Sequence, residues 1–147
     1  RYGPVFEYMF VWSKGKPKTF NPIKDRANKH AGKNASGTVR QNDGSTKPMS
    51  KVMKINDYGQ RFNIWQLSPQ RQKGAYAHPA PFPETLAHDH IVSWSNEGDT
   101  VLDPFMGSGT TGAASVNTNR NFIGIEFDDE YYNIACNRLK NSQGNLL

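Results

Sequence analysis

Cysteine is almost absent: Cys136 is the only one in 147 residues, so no internal disulfide can form, and no Cys/His group has zinc spacing. A disulfide-stapled secreted scaffold and a structural zinc module are both excluded, and a reducing compartment is expected. Long apolar runs are missing too. None approaches the roughly 18 residues that cross a bilayer, and no charged-then-apolar leader opens the chain, which reads as a soluble protein with no membrane partner. Position 1 is Arg1 rather than methionine, a hint of a piece of a longer protein. Hydrophobic residues make up 35% of the chain, below the usual share of about 45–50%, so the core is small for the length or part of the chain lies outside it. The length suits one ordinary domain rather than two.

Charge is present but unevenly spread. Residues 1–75 carry fifteen Lys/Arg and four Asp/Glu, a balance of +11, whereas residues 76–147 carry three and nine, a balance of −6. The first half is built to face a polyanion and the second to do something else.

The first half opens on Val5-Phe6-Glu7-Tyr8-Met9-Phe10-Val11-Trp12, a β-branched and aromatic run that predicts a mostly buried strand. From about Asn21 to Tyr58 the chain is Lys, Asn, Gly, Ser and Arg with few large apolar residues, which predicts a long, mobile, basic insertion without a core. A second strand is expected over residues 61–67. Proline then recurs at Pro79, Pro81 and Pro83, enforcing extended backbone, and Pro83 is placed to open a helix that runs to about Ser95 with Ala87, Ile91 and Trp94 on one face. Thr100-Val101-Leu102-Asp103 predicts a short buried strand, followed by a loop and a small-residue helix from about Thr110 to Val116. Residues 121–126 predict the next strand, and about Asp129 to Lys140 a last helix with Tyr131, Ile134, Ala135 and Leu139 on its apolar face. The order β-α-β-α implies a parallel strand pair with a right-handed crossover. Trp12, Trp65 and Trp94 read as core, Cys136 as a small buried helix residue, and His88 and His90, on opposite helix faces, as surface or packing residues.

Gly107-Ser108-Gly109-Thr110-Thr111-Gly112 satisfies G-x-G-x-x-G between a strand and a helix, and Glu126 follows 19 residues beyond Gly107 at the end of the next strand. A nucleotide crevice is implied. Asp103 stands immediately before the turn, where the pyrophosphate of a dinucleotide would sit, and two anions that close repel by several kcal/mol at an effective dielectric of about 20. The acid suits a cation instead. S-adenosylmethionine has a sulfonium, an ammonium and no phosphate, and Glu126 can accept hydrogen bonds from its ribose.

The segment from Val101 through Asp103-Pro104-Phe105-Met106-Gly107-Ser108-Gly109 to Thr110-Thr111 resembles the cofactor signature of the DNA amino-methyltransferases, which modify adenine N6 or cytosine N4. His78-Pro79-Ala80-Pro81-Phe82-Pro83-Glu84 resembles the segment that precedes that signature in the circularly permuted β-group, Phe122 to Glu126 the following acidic strand, and Glu7 to Lys14 the strand before the target-recognition region. The resemblance is dense from His78 onward. It implies an α/β, partial Rossmann-like methyltransferase fold with an incomplete parallel sheet: residues 1–20 a strand of that sheet, 21–60 a basic target-recognition insertion, and 61–147 the part that binds S-adenosylmethionine. Asp103, Phe105, Gly107, Gly109 and Thr110 then line the methionine end of the cofactor; Pro104, Ser108 and Thr111 bind it too; His78, Pro79, Ala80, Pro81 and Phe82 close over it, and Glu126 holds the ribose. Lys24, Arg26, Lys29, Lys33 and Arg40 contact double-stranded DNA.

One departure is decisive. The family's catalytic (D/N/S)-P-P-(Y/F/W) segment grips the amino group of a flipped base, and no Pro-Pro dipeptide exists in this chain. The resemblance therefore implies a C-terminal portion, inactive alone, that self-associates or pairs with a chain carrying the missing half, in a bacterial or phage cytoplasm. Two other readings are a non-catalytic DNA-binding module, from the basic half, and a nicotinamide-dependent hydride transferase, from the glycine spacing.

Overall fold

The computed structural model describes residues 6–35, 37–49, 52–67 and 82–144. Its α/β part is built from the second half of the sequence. Helix α1 (Glu84–Trp94) starts after Pro83, which sits at the N-cap in extended conformation (φ −61°, ψ 135°) rather than inside the first turn. Ala87 and Ile91, one turn apart, are buried and meet Ala114 and Val101. The helix stops where the backbone N–H and the hydroxyl of Ser95 both donate to the Ile91 carbonyl.

Two strands pair in parallel, β7 (Thr100–Asp103) and β8 (Asn121–Gly124), with Thr100 opposite Asn121 and Asp103 opposite Gly124. The chain crosses between them through α2 (Thr110–Asn117), whose Gly112, Ala113, Ala114 and Ser115 are buried. Small side chains let α1 and α3 (Asp129–Gly144) come close on either side of it. α3 begins where Asp128 Oδ1 accepts hydrogen bonds from the N–H groups of Glu130 and Tyr131, satisfying two donors that the first turn leaves open. It runs to Gly144, one turn past the expected Lys140. Val101 and Phe122 turn toward the helices, while Leu102, Ile123 and Ile125 lie on the other face, exposed.

The first half differs from its sequence reading. Residues 6–12 form no strand, and Phe6, Tyr8, Phe10 and Trp12 are exposed, their rings following one another at centroid distances of 5.1, 6.2 and 6.2 Å. Alternation puts those rings on one side, but a strand exists only through its ladder, and none of the described residues pairs with this one. Trp12, 86% exposed, is not core.

The basic segment is a ribbon, not a loop. Three antiparallel pairs nest one inside the next: β1 (Arg26–Ala27) with β6 (Tyr58–Gly59), β2 (Asn34–Ala35) with β5 (Met53–Lys54), and β3 (Thr38–Arg40) with β4 (Thr46–Pro48). At the tip, Gln41 N–H donates to the Ser45 carbonyl, and Asp43 Oδ1 accepts from Ser45 N–H and Oγ. Composition correctly excludes a core here, and the strand residues are almost all exposed. Order comes from backbone hydrogen bonds, which composition does not register.

The base of the ribbon is bolted to α1. Asn21 donates its backbone N–H to the Ser93 carbonyl (2.8 Å) and its side-chain amide to the carbonyls of Val92 and Ser95, while Phe20 lies on Trp94 with ring centroids 4.7 Å apart. On the returning side residues 61–67 are irregular rather than a strand. Arg61 bridges Asp25 (Nε–Oδ2 2.7 Å) and Asp89 of α1, and Trp65 stacks on His90. Burial raises the Asp89 carboxyl, but hydrogen bonds from Arg61 and His88 outweigh it and leave the group below its ordinary range. Burial likewise lowers His90, against the pull of Asp89.

Both shifts destabilise in acid. The depressed Asp89 carboxyl contributes stability above its unfolded value near 3.9 and loses it as pH falls through the folded value; His90, neutral in the fold, resists the proton that the unfolded chain takes below about 6.5. Arg61→Ala is expected to cost about 1.5–3 kcal/mol at pH 7, the range for hydrogen bonds to charged groups. The cost should shrink toward pH 3, and limited proteolysis within the ribbon should quicken. Denaturant unfolding at the two pH values measures the difference.

Candidate functional site

The carboxyl ends of β7 and β8 lie side by side, and the pairing continues past them: Ile125 N–H donates to the Asp103 carbonyl (2.9 Å) and Met106 N–H to the Ile125 carbonyl (3.0 Å). Each strand therefore delivers one carboxylate to the same edge. Asp103 Oδ1 accepts from Phe105 N–H at 3.0 Å, turning the chain out of the strand. Glu126 closes the opposite side. Its Oε2 accepts from Gly107 N–H (2.8 Å) and its Oε1 from the N–H groups of Phe127 (2.9 Å) and Asp128 (3.0 Å). These bonds, that of Asp128 first, hold the Glu126 carboxyl below its ordinary range against the opposing effect of desolvation.

Beside Glu126 lies a shallow crevice of about 310 Å³ lined by Pro104, Phe105, Ile125, Glu126 and Phe127. Phe105 is 88% exposed and Phe127 fully so. No lining residue is cationic. The glycine turn behind it takes left-handed backbone at Gly107 (φ +50°) and Gly109 (φ +78°). Gly112 serves packing: a β-carbon there would lie 2.7 Å from the Phe122 ring and 3.0 Å from Leu139.

Asp103, Pro104, Phe105, Gly107 and Glu126 thus gather around one edge. Ser108, Gly109 and Thr110 are buried and turned toward α3, where the Thr110 hydroxyl accepts from Arg138 Nη1 at 3.0 Å; the Thr111 carbonyl accepts from Ser115 Oγ. Phe82, 40% exposed, precedes α1. His78, Pro79, Ala80 and Pro81 lie outside the described residues. Lys24, Arg26, Lys29, Lys33 and Arg40 are all exposed along the ribbon, with Arg26 lying over the Phe62 ring at 4.5 Å. Three residues at the site, Ile125, Phe127 and Arg138, were not assigned to it by sequence reasoning. Phe127 carried a signal, an aromatic between acids just past a strand end; Arg138, one charge on a polar helix, carried none. Among the described residues no cluster could hold a metal ion, and no helix is long and apolar enough to cross a membrane. Cys136 is half-buried on α3.

Parallel strands with an acid at each carboxyl end, joined by a glycine turn and a helix, define a crevice of the Rossmann-like α/β class. The sequence matches the family model described as DNA methylase, N6_N4_Mtase, over residues 1–137, and the chain belongs to that family. It is 51% identical over 148 aligned residues to the orphan methyltransferase M.BamHII of Bacillus amyloliquefaciens, covering 96% of this chain and 56% of that protein. Over 91 residues it is 42% identical to the type II methyltransferase M2.DpnII of Streptococcus pneumoniae, covering 60% of this chain and 34% of that one. Among solved structures, the complex of M1.HpyAVI with SAM shares 40% identity over 60% of this chain and 47% of its own, at a TM-score of 0.43. The chain spans little more than half the length of M.BamHII.

Proposed function

We propose that the chain is the cofactor-binding and target-recognition part of an S-adenosylmethionine-dependent DNA methyltransferase acting on adenine N6 or cytosine N4. The observation that carries this reading is the pair of carboxylates, Asp103 and Glu126, brought to one edge of the parallel strands beside a crevice that has no cationic lining, in a member of the DNA methylase family. The donor set suits a cationic ligand and repels a diphosphate. Asp103 would face the ammonium and sulfonium end. Glu126, with three of its roughly four lone-pair sites occupied by backbone N–H groups, keeps one for a ribose hydroxyl. The open ring faces of Phe105 and Phe127 suit a flat adenine. When bound, the cofactor supplies an activated methyl group.

Lys24, Arg26, Lys29, Lys33 and Arg40 make the ribbon the arm that meets DNA phosphates and base edges. The amino group of the target base must be held by an acceptor-and-aromatic segment, and the sequence contains no Pro-Pro dipeptide to form one. That segment comes from a partner chain or from sequence beyond these residues. The charge of the first half favours a second reading, a DNA-binding module without chemistry.

Calorimetry separates the readings. The chain should bind S-adenosylmethionine, bind no nicotinamide dinucleotide, and lose about tenfold or more in affinity on Asp103→Asn, as expected for a charge-assisted contact worth at least 1.4 kcal/mol. With labelled cofactor and DNA the chain alone should transfer no methyl. DNA binding that weakens steeply with salt, together with no heat from S-adenosylmethionine, would leave only the non-catalytic module.

A further inference from the structure

The glycine turn is gripped from behind as well as from the crevice. Arg138 of α3 reaches it with one guanidinium: Nη1 donates to Thr110 Oγ1 at 3.0 Å and lies 3.4 Å from the Ser108 carbonyl, while Nη2 donates to Glu84 Oε2 at 2.9 Å. The other oxygen of Glu84 accepts from Asn117 Nδ2 at 3.1 Å. Four elements are thereby tied through one pair of charges: the turn, both ends of α2, the first residue of α1, and α3. The Arg138 side chain is 15% exposed and that of Glu84 39%, so the pair is shielded from solvent mainly on the arginine side.

We infer that Arg138, held by Glu84, is a positioning residue for the cofactor turn. This rests on the reading of the crevice as a cofactor site. The turn has left-handed backbone at Gly107 and Gly109 and no side-chain cap on α2, so its shape is not fixed by local preference. On the crevice side Glu126 holds Gly107 N–H. On the far side Arg138 holds Ser108 and Thr110. The backbone that approaches the ligand is stretched between an anion in front and a cation behind, and Gly109 is pressed against Ala135 one turn away from Arg138 on the same face of α3. Only a planar fork can satisfy Glu84 and the turn together; a lysine ammonium at the end of a flexible stem reaches one or the other. Glu84 is bonded to Arg138 and Asn117 and acts by aiming the guanidinium.

The test uses the purified chain with Arg138→Met, which keeps much of the stem, Arg138→Lys, Glu84→Gln and the Glu84→Gln/Arg138→Met double variant. Two readouts are taken: S-adenosylmethionine affinity by calorimetry, and amide exchange without ligand at Gly109, whose N–H donates to the Met106 carbonyl at 2.8 Å. Arg138→Met should weaken binding about tenfold, the loss expected for charge-assisted hydrogen bonds, and speed Gly109 exchange while β7 and β8 exchange as before. Arg138→Lys should fall between, Glu84→Gln should lose less, and the double variant should lose no more than Arg138→Met alone. Unchanged binding and exchange in Arg138→Met, or losses that simply add in the double variant, would overturn the inference. So would faster exchange throughout the sheet, which marks general destabilisation. A parent chain that takes up no S-adenosylmethionine sinks the reading of the crevice instead, because the exchange comparison judges the grip on the turn without any ligand.

Discussion

Gly109→Ala is expected to remove about 3 kcal/mol of stability, near the top of what one added methyl group costs, because two penalties fall on it together. The residue has φ +78°, where an L side chain costs about 1–2 kcal/mol. A β-carbon there would also lie 3.0 Å from Ala135 Cβ and 3.1 Å from Ala135 Cα, so α3 itself would have to move. Forcing a methylene into a packed contact adds about 1–3 kcal/mol. Gly98 separates the two contributions. It has nearly the same backbone, φ +82°, with nothing within 4 Å of the added carbon, so Gly98→Ala should cost only the conformational part, about 1–2 kcal/mol. Urea unfolding of both variants beside the parent measures the gap. Equal losses would mean that the approach of the glycine turn to α3 carries no energy.

That comparison also shows what a glycine spacing conveys. G-x-G-x-x-G announced a turn and a helix start, and both stand at Gly107 to Thr110. It did not announce that Gly109 is required by Ala135 and Gly112 by Phe122 and Leu139, contacts between elements far apart in sequence. Where each element was punctuated locally, the reading of the chain came close: Pro83 before α1, Asn96 and Gly98 after it, and acids at the head of α3 all mark boundaries within a few residues of those found. Parallel β7 and β8 followed from the small-residue helix between them.

The first half was misread because its order is not of that kind. Val5 to Trp12 has the composition of a buried strand, yet burial is a property of the partner, and the described rings face solvent. The stretch from about Asn21 to Tyr58 has the composition of a mobile insertion, yet three nested pairs give its strand residues backbone partners while leaving nearly all of them exposed. Arg61 reads as one more basic residue in a strand; its two acids, Asp25 and Asp89, lie 36 and 28 positions away. Around the crevice, the two acids and the glycine turn were legible because they follow directly on the ends of the two strands. Arg138 and Glu84 were not, since a salt bridge between two helix faces leaves no spacing to find.

Glu126→Ala is expected to abolish measurable cofactor binding at micromolar concentrations, while Glu126→Gln retains a fraction of it. Alanine strands the N–H groups of Gly107, Phe127 and Asp128 and removes the proposed ribose acceptor, so the strand end and the glycine turn lose their common tie. Glutamine keeps one acceptor oxygen and presents an NH₂ to donors, so it can serve the Oε1 pair or Gly107 but not both. Loss of one or two charge-assisted bonds predicts a fall of about tenfold to a hundredfold for glutamine. The pH profile gives the same assignment independently. Because the Glu126 carboxyl is held below its ordinary range, chiefly by the Asp128 N–H, it stays ionised as acidity rises past the unfolded value near 4.3. Its contribution to the turn is whole above that value and disappears as pH falls through the lower folded one. The ratio of parent to Glu126→Gln affinity should therefore hold steady from pH 7 to about 5 and collapse toward one only in stronger acid. A ratio that already falls between pH 7 and 6 would mean that some other group, not this carboxylate, governs the hold on the ligand.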